Sequence, residues 1–263
     1  MKTTRLPGVV AVFAWGFAAA ALFPILPRAA RFAIIRAWAK AMLGVLGVAL
    51  EIEGELRKGP LLIVANHCSW LDVLAITALR PSVFVCKSEI AAWPALGWLI
   101  GRAGTLFMRR GSAVAAAEAA QAAARRLGEG ISVAVFPEGT STDGKALLPF
   151  HAALFQAAID AGCPAQPLAL RYSNESAVYT GDTSFGDSLA AVAGASELTV
   201  SLAVLPAIAG AADRREAARR AHALIGAHLA SAPSLGTFPA APRHALAVEA
   251  GLAALQGGRQ SLV

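Results

Sequence analysis

The pattern of apolar and polar positions divides the chain into an uncharged front end and a body of short alternating segments. Residues 9–26 carry no charge, and Pro24 interrupts them after fifteen apolar positions, fewer than the roughly 20 that a perpendicular helical span needs. Three readings fit this run: a signal-peptide core, a single span that tolerates Pro24, or a helix lying in or re-entering the membrane. Residues 27–47 follow, with Arg28, Arg31, Arg36 and Lys40 among Phe32, Ile34, Ile35, Trp38, Met42 and Leu46. At 100° per residue the four basic positions fall within about half of a helical circumference, as in a helix lying on an anionic surface. Lys2 and Arg5 place basic charge on the other side of the apolar run. Together these features favour a membrane-embedded helical anchor over residues 1–47, either a span or a hairpin that dips in and returns to the cytoplasmic leaflet.

Beyond it the period changes. Residues 48–53 alternate apolar with Glu51 and Glu53 and predict a half-exposed strand. The short apolar runs 61–65, 82–86, 105–108, 132–136, 166–171 and 198–204 predict further strands. Helices are predicted over 73–76 and 150–161, over the Ala-rich 113–127 with Ser112 as N-cap, and over 213–230; residues 93–101 read as a short helix or loop. The Gly-, Ser-, Asp- and Asn-rich stretch 173–196 predicts a long loop. Strands alternating with helices argue an α/β domain over 48–230. Residues 231–263, rich in Pro, Ala and Gly, predict a flexible tail.

Composition narrows the class. Of 263 residues, 56% are hydrophobic and only 15% charged, and the net charge is +6. A greasy, basic chain points to anionic lipid or phosphate-bearing substrates. No Lys/Arg block interleaved with aromatics supports nucleic-acid binding. The three cysteines, Cys68, Cys86 and Cys163, are odd in number and lack metal-ligand spacing, so they read as reduced thiols in a cytosol-facing domain that holds no metal.

Candidate chemistry centres on Asn66-His67-Cys68-Ser69-Trp70-Leu71-Asp72, directly after the strand 61–65. There His67 leaves the sheet and Asp72 sits near the start of a helix, so the two side chains can meet across the turn. A carboxylate on one imidazole nitrogen sets the tautomer and leaves the other nitrogen free to take a proton from a hydroxyl. Seen alone, the pair reads equally as a polar helix cap. Cys68 invites a nucleophile reading, but adjacent residues rarely point the same way.

Three more stretches bear on it. Gly104-Thr105-Leu106-Phe107-Met108-Arg109-Arg110 puts guanidinium groups at a strand end, suited to a phosphate monoester. In Phe136-Pro137-Glu138-Gly139-Thr140, Pro stops a strand, Gly admits a close ligand, and Glu can accept from hydroxyls. Cys163-Pro164-Ala165-Gln166-Pro167-Leu168 is a proline-punctuated return to the sheet.

In order and content these four stretches resemble the glycerophospholipid acyltransferase family, which includes the bacterial 1-acylglycerol-3-phosphate acyltransferases. The family pattern N-H-x4-D falls on Asn66, His67 and Asp72. G-x-x-F-I-x-R falls on Gly104, Phe107 and Arg110, with Met108 at the aliphatic position. F-P-E-G-T-R-S falls on Phe136 to Thr140, and the paired prolines on Pro164 and Pro167. The likeness runs from about residue 61 to 171, and the N-terminal helices look similar too. One departure stands out: Ser141-Thr142-Asp143-Gly144 replaces the usual Arg-Ser, and the continuation 148–155 resembles the lyso-ornithine-lipid acyltransferase branch.

The resemblance implies a mixed sheet flanked by helices behind a membrane-embedded anchor. It implies an O-acyltransferase that moves a fatty acyl group from acyl carrier protein or coenzyme A to a lysolipid hydroxyl, without cofactor or metal. The first expected product is phosphatidate from 1-acyl-sn-glycerol-3-phosphate; the alternatives are lyso-ornithine lipid acylation or a catalytically silent lipid-binding protein. By the same resemblance His67 is the base and Asp72 its orienting carboxylate. Glu138, Gly139 and Thr140 seat the acceptor headgroup, and Arg110, with Lys87 and Gly104, serves its anionic part. The implied setting is a bacterial-type inner membrane with the site facing the cytoplasm.

Overall fold

The computed structural model describes residues 5–181 and 183–231. The predicted tail lies outside the described residues from position 232 on. In chain order the elements are α1 (Leu6–Leu22), α2 (Arg28–Leu46), β1 (Val48–Glu53), β2 (Leu62–Ala65), α3 (Leu71–Leu79), β3 (Val83–Lys87), α4 (Leu96–Arg102), β4 (Leu106–Met108), α5 (Ala113–Gly128), β5 (Val133–Val135), α6 (Gln156–Asp160), β6 (Ala165–Tyr172), α7 (Phe185–Gly194), β7 (Leu198–Val204) and α8 (Arg214–Ser231).

The seven strands form one mixed sheet in the order β1-β7-β6-β2-β5-β3-β4. From β6 to β4 every neighbouring pair is parallel, with registers such as Val64 opposite Val135 and Pro167. β7 runs antiparallel to β6, and β1 runs parallel to β7. Parallel strands joined by helices must be covered on both faces, so β2 is buried at every position and reads as an unbroken apolar run. Its side chains alternate between two cores. Ile63 and Ala65 pack with α2, α3 and α7; Leu62 and Val64 pack with α5, α6 and α8.

This topology decides where chemistry can sit. The segments after β2, β3, β4 and β5 all leave the sheet at its carboxyl edge, the place where parallel α/β sheets bind ligands. The segments beginning at Asn66, Ser88, Arg109 and Phe136, spread along the chain, are thereby gathered into one row, whereas the proline-punctuated 163–168 enters β6 at the opposite, amino edge, where Pro164 O accepts from Leu62 N–H.

Two expectations need correction. Residues 173–196 are not one long loop, because they contain α7. Ser184 caps it by accepting from the Asp187 N–H at 3.1 Å, and Val192 and Ala193 are buried in the main core. The helix predicted over 150–161 is shorter: a 3-10 turn, Ala153–Phe155, leads into α6, and His151 N–H is instead tied to Pro137 O at 2.8 Å.

The N-terminal pair also differs from a helix resting on lipid alone. α2 buries Ala39, Met42, Leu43 and Leu46 in the same core as α3, and two of its cations are engaged with protein carbonyls, Arg28 with Glu129 O at 2.7 Å and Arg36 with Ala78 O at 2.9 Å. α1 packs on α2 through Val9 and Val12, with the Trp38 indole donating to Val12 O at 2.9 Å. Gly16 makes that approach possible, since a Cβ there would lie 2.5 Å from Trp38 Nε1. The Arg5 guanidinium closes the arrangement by donating to Leu46 O, Ala193 O and Ala195 O, satisfying carbonyls at the C-terminal ends of both α2 and α7. The outward side of α1 is apolar throughout: Leu6, Val10, Trp15 and Leu22 are exposed, as is Ile25 in the 3-10 turn that follows. Leu6–Ile25 is long and apolar enough to cross a membrane.

Candidate active site

β2 ends at Ala65, and the chain turns through Asn66 and His67 before α3 begins. Asn66 pins the turn to β6, its amide accepting from Leu170 N–H at 2.8 Å and donating to Leu170 O at 3.0 Å. Asp72, in the first turn of α3, is fully buried. Its Oδ2 accepts from Cys68 N–H at 2.8 Å and Ser69 N–H at 2.9 Å, and meets His67 Nδ1 at 2.8 Å. Its Oδ1 accepts from the Tyr172 hydroxyl. A carboxylate opposite Nδ1 requires a proton on that nitrogen, which makes Nε2 the basic one. The ring lies flat against Phe136, centroids 4.0 Å apart at 12°, and its side chain remains 21% exposed. The arrangement can accept one proton at Nε2 and support the resulting charge from behind.

Glu138 is where structure and expectation part. It is 4% exposed, and both its oxygens are occupied by main chain: Oε1 accepts from His67 N–H at 2.7 Å and Oε2 from Leu148 N–H at 3.0 Å. It is therefore a clamp on the His67 backbone rather than a seat for a headgroup. Burial pushes its carboxyl above the usual glutamate range, with the two N–H groups pulling the other way. The same segment also holds the His67 carbonyl, which accepts from Thr142 N–H at 2.8 Å. Gly139 likewise serves the turn. Its N–H donates to Phe136 O at 3.1 Å, its φ is +73°, and a Cβ would press on the His151 ring at 3.2 Å. Thr140 is exposed beside it.

Lys87 and Arg110 lie on the other half of the edge, and Gly104 does not. Lys87 closes β3 opposite Met108, and Arg110 is exposed two residues beyond β4. Gly104, with φ +92°, makes the turn from α4 into the amino end of β4 beside Val83 at the start of β3, so it lies on the opposite edge from His67 and shapes the chain there rather than meeting the acceptor's anionic part. β4 stands three strands from β2 in the sheet order, which puts the two backbones roughly 14 Å apart at the usual strand spacing. An extended arginine side chain reaches back across part of that gap.

Cys68 is buried at 4% exposure behind the His67 turn. Burial, then the charges of Asp72 and Glu138, push its thiol up to about 12, so almost no thiolate is present near neutrality. Iodoacetamide at about pH 8 is expected to leave Cys68 unmodified in the folded protein, and Cys68→Ala to keep most of the activity. A labelled Cys68 in intact protein, read by mass spectrometry, would restore the nucleophile reading. Among the described residues no group of three His, Cys, Asp or Glu side chains is placed to hold a metal ion.

Beside the turn, Trp70 meets Phe185 edge to face at 5.3 Å. Phe185 also lines an apolar cavity of about 330 Å³ with Phe13, Phe17, Trp93, Pro94, Ala95 and Leu96. At its flank Trp98 stacks on Phe17 at 6.0 Å, 43% exposed, with the Arg102 guanidinium 5.3 Å from the indole ring.

Asp72's partner Tyr172 carried no signal in the sequence, and Thr142 stood out only as part of the departure at 141–144, because each acts from a segment distant along the chain.

Comparison with known proteins places this geometry. The family model described as Acyltransferase matches residues 48–171. A lyso-ornithine lipid O-acyltransferase of Pseudomonas aeruginosa is 34% identical over 235 residues, covering 86% of this chain and 91% of the relative. A 1-acyl-sn-glycerol-3-phosphate acyltransferase of Neisseria gonorrhoeae is 40% identical over 163 residues, 61% of this chain and 64% of the relative. Among solved structures, the 1-acyl-sn-glycerophosphate acyltransferase of Thermotoga maritima superposes with a TM-score of 0.63 at 18% identity, covering 86% of this chain and 96% of that one.

Proposed function

We propose, from the premise that this chain belongs to the acyltransferase family, that it is a membrane-bound enzyme transferring a fatty acyl group to the free hydroxyl of a lysolipid. The acceptor we assign first is 1-acyl-sn-glycerol-3-phosphate, giving phosphatidate. The observation that carries the reading is the His67–Asp72 pair, with Nε2 left outward at the carboxyl edge of the sheet.

The chemistry follows from that pair. The acceptor hydroxyl gives its proton to His67 Nε2 as its oxygen bonds to the thioester carbonyl carbon. Asp72 stabilises the imidazolium formed. The carbon–sulfur bond then breaks, and the departing thiolate takes the proton back, leaving His67 neutral. A thiolate leaves readily, so no acyl-enzyme is needed. Acyl carrier protein or coenzyme A would supply the thioester, and no cofactor takes part.

Arg110, with Lys87 near it, is suited to the acceptor's anionic part. The apolar cavity beside Trp70 and Phe185 suits an acyl chain. Membrane attachment is supported by the unbroken apolar side of α1. Trp98 and Arg102 next to it are residue types at home in the interfacial region. The three free thiols fit a site on the cytoplasmic side of an inner membrane.

A lyso-ornithine lipid is the second acceptor reading. Two observations favour it: the relative matched over most of its length carries that name, and Ser141-Thr142 stands where the family pattern has Arg-Ser. Thr142 is moreover bound to the His67 carbonyl, so the position is committed to the loop.

The test is transfer of labelled acyl groups, from acyl carrier protein and from coenzyme A, by full-length protein in membranes. Product from lysophosphatidate that disappears in His67→Ala supports the first reading, and product from lyso-ornithine lipid alone moves the assignment to the second. Thioester hydrolysis without acceptor would make the protein a hydrolase. No His67-dependent turnover of either kind would leave a lipid-binding protein.

A further inference from the structure

Asp72 Oδ2 already has three partners, two main-chain N–H groups and the His67 ring. Oδ1 has the phenol of Tyr172, the last residue of β6, which lies 3% exposed in the main core and 100 positions further along the chain. Resting on the acyl-transfer reading of His67 and Asp72, we propose that Tyr172 is a positioning residue for the reaction, acting through Asp72. Its hydroxyl holds Oδ1, so that Oδ2 stays aimed at His67 Nδ1.

Three physical points carry this. The terminal torsion of an aspartate is broad and nearly two-fold, so a carboxylate gripped through one oxygen can swing its plane; gripped through both, it cannot. The phenol arrives in a fixed register, because Asn66 joins the end of β2 to Leu170, two residues before Tyr172. And packing alone does not call for a hydroxyl here. The core around Tyr172 includes Leu170, Ala177, Leu198 and Val200, where phenylalanine would fill the same space. A buried hydroxyl is unfavourable unless it is hydrogen-bonded, and this one is bonded to the carboxylate behind the base. Burial, reinforced by the Asp72 charge, raises the phenol far above its ordinary range, so it serves as a donor throughout the working pH range.

A hydroxyl donated to Oδ1 also draws charge away from the carboxylate. The imidazolium formed in the reaction is then held firmly enough to form and loosely enough to return its proton to the leaving thiolate. Without the phenol the carboxylate grips that proton harder, and the acid limb of the pH–rate profile moves to higher pH.

The experiment is Tyr172→Phe in the full-length protein, assayed with whichever lysolipid and acyl thioester the wild type uses, after its thermal unfolding has been checked. The expected result is a fall in kcat of about tenfold, with KM for both substrates within about twofold and the acid limb displaced upward. The chain has only two tyrosines, so fluorotyrosine incorporated in a Tyr179→Phe background labels position 172 alone. The more acidic phenol is a stronger donor, and the limb should move downward relative to Tyr179→Phe. Wild-type kcat with an unmoved limb in Tyr172→Phe overturns the proposal. So does a loss of kcat with both limbs unmoved, which would leave the residue a packing role. Should Tyr172→Phe fail to fold, the fluorotyrosine limb decides alone, and no displacement overturns the proposal. His67→Ala separates the two readings. Activity surviving in it overturns the pair itself, whereas an inactive His67→Ala beside an unaltered Tyr172→Phe overturns this inference only.

Discussion

His67→Ala is expected to lower kcat/KM for acyl transfer by about 10²–10⁴-fold, the usual contribution of a positioned general base. The protein should remain folded. Asp72 keeps its three other donors, Cys68 N–H, Ser69 N–H and the Tyr172 hydroxyl, so the substitution leaves no buried carboxylate oxygen without a partner. His67 itself is partly exposed and its side chain fills no core volume beyond its stacking on Phe136. The measurement is steady-state transfer alongside a thermal unfolding curve. Loss of rate with an unchanged transition assigns the base. A variant retaining more than about a tenth of wild-type kcat/KM would place the proton acceptor elsewhere.

Glu138→Ala is the second large effect, and it differs in kind. If this carboxylate seated the acceptor, its removal would raise KM for the lysolipid and leave stability alone. The structure predicts the reverse. His67 N–H and Leu148 N–H lose their acceptor in a buried place, at about 1–3 kcal/mol for each orphaned group, so roughly 2–6 kcal/mol of stability goes with it. The His67 turn loses its anchor at the same time, so kcat should fall by at least about tenfold while KM for the lysolipid changes little. A large rise in KM with an unshifted unfolding midpoint would return Glu138 to the acceptor site. A pH signature accompanies this. Burial raises the folded-state carboxyl above the unfolded one, so the native protein holds that proton more tightly. The associated stability is present below the ordinary glutamate range and fades as pH rises through the raised value. In Glu138→Gln that part of the pH dependence should vanish from unfolding curves measured across the acid range.

These two residues show how differently the site can be read from the chain. His67 and Asp72 lie five positions apart on one strand–turn–helix, so their meeting is a local matter and was legible in the spacing. Glu138 was legible as important but not in its role. An acidic residue in a Pro-Glu-Gly turn reads as a ligand group, and only the position of β5 beside β2 turns it onto the His67 main chain. α7 was missed because Gly and Ser dominate its surroundings; its helical state depends on the Ser184 cap and on burying Val192 and Ala193. The Arg5 clasp was invisible for the same kind of reason, since its acceptors lie 41 to 190 positions away.

By itself the sequence determined what depends on near neighbours. That includes most of the strands, the apolar run of α1, the N-cap of α5, the acid–base pair after β2, and the four ordered stretches that mark the family. The tertiary structure alone decided everything that needs strands to be placed side by side. Burying both faces of a parallel sheet sends the segments after β2, β3, β4 and β5 to one edge. That edge stacks Phe136 on His67, closes Glu138 on a backbone, and brings Tyr172 to Asp72. Pairings of this length depend on burying apolar surface across the whole domain, and no local pattern in the chain encodes them.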